Sequence, residues 1–346
     1  MSFLKKLRYP HKFLDYMDGF IISKTMFAAC ELGVFDLLHE VQEPMSAATI
    51  ASRLSTNVDR MEVLLDACVG LELLQVDLKN NKGYYSNTEA STVYLVKTSP
   101  KSLYHMMVFY SKNVYKLVQF LPQAVREGKS QYERAFGVSS KEVFEAVYRS
   151  EEEMLVFMRC MDPIWNICGK DVIQAFDLSM FHTVYDLGGC LGGLAKQFVS
   201  TYNDSTVTIM DLPKVVQTAK KHFVADKEQQ IHFLEGDFFN DPIPEADLYI
   251  LARIIHDWTE EKCLGLLRKI YQSCRSGGGV LIVEVLLNED KSGPVHSQMF
   301  SLAMVVMAEG KERTPSEYTK LLTDAGFRDI EVKITGTLYD AILGRK

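Results

Sequence analysis

Four glycines lie within six consecutive positions, directly after a short β-branched run in the second half of the chain. The run is 183–185, the glycines fall between Gly188 and Gly193, and a helical pattern follows over 194–202. Glycines at the end of a strand let the backbone turn sharply and approach a ligand without a Cβ in the way. The segment therefore predicts a strand, a ligand-binding turn and a helix, with a plain tight turn as the alternative.

Short apolar runs alternate with helical patterns from about residue 180 to the end of the chain. The runs are 183–185, 207–210, 231–233, 248–251, 280–283, 330–334 and 338–343. This alternation is typical of a parallel sheet with helices on both faces, and the short turn before the last run predicts a final antiparallel hairpin. The fold class that we predict is α/β, with a Rossmann-like domain.

The first half of the chain has a different, mainly helical pattern. Helical spacing of apolar residues covers 26–39, 46–54 and 57–74, and a polar turn at 79–83 then separates two strand-like runs. Three helices followed by a hairpin are the order of a winged helix, a module that binds DNA in many proteins. The net charge of −7 argues against phosphate binding. We therefore favour a dimerisation or lid role and predict no nucleic-acid partner.

Long helical stretches around 102–127 and 151–175 connect the two halves, and methionine and aromatic residues recur in them. Core packing is the simpler interpretation of these residues, and a substrate pocket is the alternative. We predict a winged-helix-like dimerisation domain over 1–105. A Rossmann-like domain over 106–346 follows, and it includes the bridging helices at 106–175.

The seven cysteines are scattered without the CxxC or Cys/His clusters that zinc sites use. Buried, reduced thiols are the better interpretation, and they favour a reducing compartment. No apolar run approaches the roughly 18 residues that a membrane span needs, and no secretory signal follows Met1. We therefore expect a cytoplasmic protein with no metal and no membrane association.

Acidic residues end the first three strand-like runs of the second half. Asp186 is unsuited to a pyrophosphate, and the glycine spacing departs from the dinucleotide pattern. The Asp186 carboxylate instead suits a cation, such as the amine and sulfonium of S-adenosylmethionine. Asp211 can accept both ribose hydroxyls, with a helix cap before Pro213 as the alternative. Gly236 and Asp237 follow the third run, where Asp237 can accept the adenine amino group beside a phenylalanine, with a turn-forming role as the alternative.

His256 follows the fourth run, on the same side of the predicted sheet. A phenol has a pKa of about 10 and histidine of about 6.5, so a positioned imidazole can remove the proton as a phenol oxygen reacts. A structural histidine is the alternative. Asp257 fits the start of a helix over 259–274, and we favour capping over catalysis for it.

A histidine base works best when a carboxylate holds its other nitrogen. Glu284 interrupts the apolar fifth run, where an unpaired carboxylate is costly. Glu312 precedes a helix that Thr314 opens. Either carboxylate is a candidate, and a structural ion pair, for example with Arg313, is the alternative for each.

Six segments resemble the plant-type class of S-adenosylmethionine-dependent O-methyltransferases, and the resemblance covers nearly the whole chain. They are Phe27 to Leu38, Val125 to Gly128, Glu235 to Phe239, Pro244 to Tyr249, His256 to Trp258 and Gly310 to Pro315. The resemblance implies a winged-helix-like dimerisation domain before a Rossmann-like methyltransferase domain. It also implies a homodimer that exchanges N-terminal segments, so that the partner chain helps to close each pocket.

The resemblance also implies roles for individual residues. His256 is the base, flanked by Glu284 and Glu312. The cofactor contacts are Gly188, Asp211, Asp237, Phe238 and Arg253, with Tyr148 and Trp165 closing the site. The aromatic pocket comprises Phe109, Phe157, Met161, Met304 and Tyr339.

Two departures from the family pattern bear on function. Cys190 stands where the family's glycine loop usually has another glycine. Ala303 and Met307 stand where relatives that methylate hydroxyindoles carry amide side chains near an N-acetyl group, and neither residue can replace an amide's hydrogen bonds.

We therefore expect an enzyme that methylates a hydroxyl of a small aromatic, with a hydroxyindole as the favoured acceptor. The alternatives are another phenolic acceptor and a non-catalytic dimeric relative that binds cofactor weakly. A DNA-binding regulator and a nicotinamide dehydrogenase are disfavoured by the acidic charge and the glycine spacing.

Overall fold

A computed structural model describes residues 11–138, 143–222 and 229–346. The chain forms two compact units, Met1–Lys112 and Asn113–Lys346. The division into folding domains at 105/106 stays a prediction, because compactness in one structure does not test whether each part folds by itself.

The first unit has the predicted order of helices followed by a hairpin. Its helices are α1 (His11–Leu32), α2 (Val34–Val41), α3 (Ala47–Arg53), α4 (Val58–Gly70), α5 (Glu89–Tyr94) and α6 (Tyr104–Phe109). Its strands are β1 (Met45–Ser46), β2 (Leu74–Lys79) and β3 (Lys82–Asn87), in the order β1-β3-β2. The β2–β3 turn is shorter than predicted, because Asn80 and Asn81 adopt φ angles of 50° and 58° and so close a two-residue turn.

The second unit is built on a seven-stranded sheet in the order β6-β5-β4-β7-β8-β10-β9. Its strands are β4 (Thr183–Leu187), β5 (Thr206–Asp211), β6 (Ile231–Glu235), β7 (Ala246–Ala252), β8 (Cys274–Glu284), β9 (Arg328–Lys333) and β10 (Asp340–Arg345). Strands β4 to β8 pair in parallel, and β10 pairs antiparallel with both β8 and β9. The predicted strands and the final antiparallel hairpin are confirmed.

Helices alternate with these strands. A π-helical turn at Tyr110–Val114 and a 3-10 turn at Val118–Phe120 flank the first short helix, and a second 3-10 turn spans Ile255–Asp257. The helices are α7 (Tyr115–Leu117), α8 (Leu121–Glu127), α9 (Tyr132–Phe136), α10 (Val143–Val147), α11 (Glu151–Met161), α12 (Trp165–Ile173), α13 (Gly193–Thr201), α14 (Pro213–His222), α15 (Glu260–Ser273), α16 (Val295–Met307) and α17 (Pro315–Ala325). No helix within the described ranges is long and apolar enough to cross a bilayer.

The core of this unit lies around β7 and β8. Residues 248–251 and 280–283 have no exposed surface, as expected for parallel strands covered on both faces. Leu267 of α15 and Leu322 of α17 pack in the same cluster. The loops that follow the carboxyl ends of β4 to β7 lie at one edge of this sheet, where open α/β sheets bind ligands.

Candidate functional site

A cavity of about 550 Å³ lies at the carboxyl ends of β4, β5, β6 and β7. Its wall includes several residues that the sequence predicted to contact a cofactor or a substrate. These are Tyr148, Phe157, Met161, Trp165, Asp186, Gly188, Asp211, Asp237, Phe238 and Arg253. The structure thus brings together residues that are far apart in the sequence.

The glycine turn after β4 leaves little room for a side chain at any of its four glycines. A Cβ on Gly188 would lie 2.5 Å from Ile254 Cδ1, and a Cβ on Gly189 would lie 2.5 Å from Asp186 Oδ2. Gly188 also has a φ of 76°, a conformation that costs a side-chain-bearing residue free energy. The turn is therefore built to bring backbone close to the cavity.

Cys190 adopts the left-handed region with a φ of 53°. Its backbone N–H donates to Asp211 Oδ2 at 3.0 Å, and its thiol packs against an apolar cluster that contains Met154 and Leu191. Cys190 also lines the cavity, where burial raises the pKa of the thiol well above its usual value. The thiol is therefore a neutral, largely apolar part of the wall.

Asp186 is a buried carboxyl group on the wall of the cavity. It is 1% exposed, and neither carboxylate oxygen has a hydrogen-bond partner among the residues that the structure describes. Burial, followed by repulsion from Asp211, raises its pKa to about 7. An unpaired buried carboxylate is costly, so this side chain fits an ammonium or sulfonium group in the cavity.

Asp211 ends β5 and is held by two backbone N–H groups. Cys190 and Leu212 donate to it at 3.0 and 2.8 Å, and burial nevertheless raises its pKa to about 6. Asp237 accepts from Phe239 N and Asn240 Nδ2 at 2.8 and 2.7 Å. The predicted turn-forming role of Asp237 is therefore present, and it coexists with a position on the cavity wall.

The turn after β6 is fixed from the neighbouring helix. Lys269 Nζ donates to the carbonyl oxygens of Phe238 and Phe239, each at 3.0 Å. Gly236 does not line the cavity, and a Cβ there would lie 2.6 Å from Met210 Cε. Gly236 therefore permits close packing behind the turn.

An aromatic wall that the sequence did not reveal closes one side of the cavity. Phe144, Phe239 and Trp258 line it, with ring centroids of Phe144 and Trp258 5.7 Å apart and those of Phe239 and Trp258 4.9 Å apart. The resemblance drew attention to Tyr148 and Phe157, whose rings lie 5.7 Å apart. The sequence shows the aromatic residues of these segments, but it does not show which of their side chains point into the cavity.

His256 lies on the 3-10 turn after β7 and is 3% exposed. Its Nδ1 atom is 2.6 Å from Glu312 Oε1 and 3.2 Å from Glu284 Oε2, while Nε2 is 3.6 Å from Asp257 Oδ1. Burial lowers the pKa of His256, but Glu284, Glu312 and Asp257 together outweigh burial and raise it to about 10. The imidazole is therefore a strong base held in one orientation.

Glu284 holds the backbone that carries His256. Its Oε1 atom accepts from the N–H groups of Ile254, Ile255 and His256 at 3.1, 2.9 and 3.3 Å. Its Oε2 atom is near Nδ1 but has no hydrogen bond within the described part of the chain. Burial raises the pKa of Glu284 above its usual value. The two carboxylates thus have different contacts, since Glu312 holds the ring and Glu284 holds the turn.

One sequence interpretation near His256 was wrong. Asp257 does not cap the next helix, because the Thr259 side chain accepts from Lys262 N and serves as the N-cap. Asp257 instead lines the cavity. Arg313, the alternative ion-pair partner for Glu284 or Glu312, donates to the carbonyl oxygens of Ile255 and Trp258 at 3.0 and 3.2 Å.

His256, Glu284 and Glu312 could also hold a metal ion, because one ligand atom from each lies within 4.8 Å of the others. The short contact between Nδ1 and Glu312 Oε1 is that of a charge-assisted hydrogen bond. A proton between Nδ1 of His256 and Oε1 of Glu312 is sufficient to explain this short distance. The prediction that no metal is required stays a prediction.

Other predicted site residues are not among those that line the cavity. His256, Glu284 and Glu312 are buried next to lining residues such as Ile254 and Asp257. Ala303, Met304 and Met307 form a small apolar cluster on α16. Tyr339 is fully buried with its ring 5.4 Å from that of Trp165, and Phe109 is buried in the first unit. Their roles with an acceptor stay predictions.

Comparisons with known proteins show the family to which the chain belongs. Residues 14–97 match the O-methyltransferase dimerisation domain, and residues 119–328 match the O-methyltransferase domain. The chain is 58% identical to the acetylserotonin O-methyltransferase of Gallus gallus over 346 residues, which cover 100% of each chain. It is 50% identical to that of Homo sapiens over 332 residues, which cover 96% of each chain.

A solved structure is similar over the same extent. The crystal structure of human N-acetylserotonin methyltransferase in complex with SAM has a TM-score of 0.95, with 49% identity and 97% of each chain covered. The fold class predicted from the sequence is confirmed, and so is the family resemblance. The matched family models and the full-length relatives together show that this chain belongs to the O-methyltransferase family.

Proposed function

We propose that this chain transfers the methyl group of S-adenosylmethionine to the hydroxyl of N-acetylserotonin, with His256 as general base. The full-length relatives are acetylserotonin O-methyltransferases, which supports the acceptor and the reaction. The similar human structure is a complex with SAM, which supports the cofactor. The observation that carries the proposal is the buried pair of His256 and Glu312 next to a cavity whose wall holds Asp186, a carboxyl group without a hydrogen-bond partner among the described residues.

The residues of the cavity fit S-adenosylmethionine. Asp186 faces the cationic methionine part, and Asp211 accepts from the ribose hydroxyls. Asp237 and Phe238, with Gly236 behind them, hold the adenine. Gly188 lets the backbone approach, and the remaining contacts are Tyr148, Trp165 and Arg253. When bound, this cofactor supplies a methyl group activated by a sulfonium.

The imidazole of His256 has one nitrogen held and one available. Glu312 occupies Nδ1, so Nε2 takes the proton of the acceptor hydroxyl. The pKa of His256, raised to about 10, is close to the value of about 10 for a phenol, so proton transfer between them is nearly balanced. Glu312 stabilises the imidazolium that forms, and Glu284 keeps the turn in place.

The acceptor ring packs against apolar side chains beside the base. We assign this role to Phe157 and Met161 on the cavity wall. We assign it also to the other residues that the sequence predicted to contact the acceptor, which are Phe109, Ala303, Met304, Met307 and Tyr339. Most of these side chains are apolar, which suits a flat aromatic ring and excludes bulk water.

The first unit mediates a homodimer in this proposal. Its match to a dimerisation domain is accompanied by exposed apolar side chains on α1, where Phe13, Tyr16, Met17 and Phe20 are 75%, 66%, 61% and 57% exposed. A row of large exposed apolar residues marks an interaction surface. We also propose a cytoplasmic location without nucleic-acid or membrane partners, and the seven free thiols support a reducing compartment.

The test is methyl transfer from labelled S-adenosylmethionine to N-acetylserotonin and to a panel of other hydroxyindoles and simple phenols. We expect label in N-acetylserotonin, undiminished by a chelator. Calorimetry measures cofactor binding in parallel. Binding without transfer to any acceptor would support a different substrate, whereas no binding at millimolar cofactor would support the non-catalytic alternative.

A further inference from the structure

The turn after β6 carries four consecutive residues of the cavity wall, Asp237, Phe238, Phe239 and Asn240. The strand before it lies at the edge of the sheet and, among the described strands, pairs only with β5. Strand pairing therefore supports this turn from one side alone. Its conformation depends on hydrogen bonds within the turn and on contacts from other elements.

Hydrogen bonds within the turn hold the Asp237 carboxylate in one orientation. Its Oδ1 atom accepts from Phe239 N at 2.8 Å, and its Oδ2 atom accepts from Asn240 Nδ2 at 2.7 Å. The backbone N–H of Asp237 donates to Asp241 Oδ2 at 2.8 Å. A carboxylate oxygen has two lone pairs, so each oxygen of Asp237 can accept a further hydrogen bond from a ligand in the cavity.

Lys269 connects this turn to α15. Its ammonium donates to the carbonyl oxygens of Phe238 and Phe239, each at 3.0 Å, and to that of Asp241. An ammonium has three N–H donors, and the three acceptors here all belong to the same short turn. Because three carbonyl oxygens converge on one cation, the backbone over 238–241 is restrained, and the position of Asp237 is restrained with it.

The same turn also places two aromatic rings. The ring centroids of Phe238 and Phe239 lie 4.9 Å apart, and those of Phe239 and Trp258 also lie 4.9 Å apart. The Phe238 ring faces the glycine turn, since a Cβ on Gly188 would lie 3.5 Å from Phe238 Cε1. A change in the turn would therefore move the polar and the aromatic parts of this wall together.

We propose that Lys269 is a positioning residue, which fixes the Asp237 carboxylate for recognition of the 6-amino group of the cofactor's adenine. This inference rests on the proposed function, in which Asp237 accepts from that amino group, and it names the residue on which the recognition depends. Lys269 is not among the residues that line the cavity, so it acts through the turn. A polar group held in place discriminates strongly against an analogue that lacks the matching donor.

The experiment measures, by calorimetry, the binding of S-adenosylhomocysteine and of S-inosylhomocysteine, which has a 6-oxo group in place of the 6-amino group. Lys269→Met keeps an unbranched side chain and removes the ammonium. We expect it to weaken binding of S-adenosylhomocysteine by about 10-fold, as loss of a buried hydrogen bond does. Binding of S-inosylhomocysteine should change by less than about twofold, so the preference for adenine should fall by about fivefold or more.

Arg268→Met is the matched control. Arg268 is a cation on the same helix, and its guanidinium donates to the carbonyl oxygen of Asp324 at 3.4 Å, outside the turn. This control should leave both affinities within about twofold of wild type, because single hydrogen bonds at exposed positions contribute little to the cavity. Steady-state kinetics of Lys269→Met should show KM for S-adenosylmethionine raised by about 10-fold, with kcat within about twofold, because the base is unchanged.

An equal loss of affinity for both ligands, or no loss for either, would overturn the inference. Lys269→Gln is a milder variant for the case in which Lys269→Met does not fold, and its adenine preference should lie between those of wild type and Lys269→Met. An undiminished preference in Lys269→Gln would also overturn the inference. A wild type that shows the preference but methylates no acceptor would contradict only the proposed reaction.

Discussion

The Nδ1 atom of His256 lies 2.6 Å from Oε1 of Glu312, although the two residues are 56 positions apart in the chain. The loop that carries Glu312 is connected to the turn that carries His256 by Arg313, which donates to the carbonyl oxygens of Ile255 and Trp258. It is connected to the segment after β8 by the hydrogen bond from Leu287 N to Arg313 O. These contacts position His256 and Glu312 relative to each other.

Glu312→Gln should reduce kcat by about 100-fold while leaving the affinity for S-adenosylmethionine within about twofold. The amide keeps the shape but cannot stabilise the imidazolium, which is the contribution of an orienting carboxylate to a histidine base. Glu331→Gln, on an exposed position of β9, is the control for removing one negative charge. Full activity of the Glu312 variant would assign the orienting role elsewhere.

Substitutions of Glu284 should separate its structural role from its charge. Glu284→Gln keeps a carbonyl oxygen for the three backbone N–H groups and should melt close to wild type. Glu284→Leu leaves those groups unpaired, at a cost of about 3 kcal/mol, which corresponds to a melting temperature lower by about 6–12 °C. Calorimetry checks this, and equal melting temperatures for the two variants would show that Glu284 does not hold the turn.

The pH profile of kcat/KM should rise with pH between about 7 and 9 with a slope near one. His256 must be neutral to accept a proton, and its pKa is raised to about 10, so the active form increases with pH. The acceptor hydroxyl titrates near pH 10 as well. The decisive comparison is therefore with Glu312→Gln. The rising part of its pH profile should lie at lower pH, because the loss of one carboxylate lowers the pKa of His256. Superimposable profiles would contradict this assignment.

Binding of S-adenosylmethionine should weaken by about fivefold between pH 7 and pH 6. Asp186 has a pKa of about 7, and protonation below that value removes the negative charge that faces the cationic cofactor. Isothermal calorimetry measures the affinity across this range. Asp186→Asn should bind weakly at pH 7 and show a flatter dependence. A constant wild-type affinity would mean that Asp186 does not face the cation.

Much of this architecture could be predicted because its signals are local. The glycine turn near Gly188 and the alternating apolar runs depend on neighbouring residues, so they are visible in the sequence. His256 was predictable from its place after a strand. Thr259, rather than Asp257, caps the next helix, because two good capping residues lie two positions apart and only the backbone path selects between them.

The remaining features depend on tertiary packing. Glu284 and Glu312 were both recognised as candidates, but which one forms the hydrogen bond with the ring depends on how β8 and the loop before α17 meet. The wall of Phe144 and Trp258 depends on side-chain direction, which periodicity does not determine.

The most direct test of the catalytic assignment combines two measurements on His256→Ala. Single-turnover methyl transfer to N-acetylserotonin should fall by about 100-fold to 10,000-fold, the range of a general base, while calorimetry finds S-adenosylmethionine affinity within about twofold of wild type. Undiminished transfer, or an equal loss of transfer and of cofactor affinity, would contradict a base at this position.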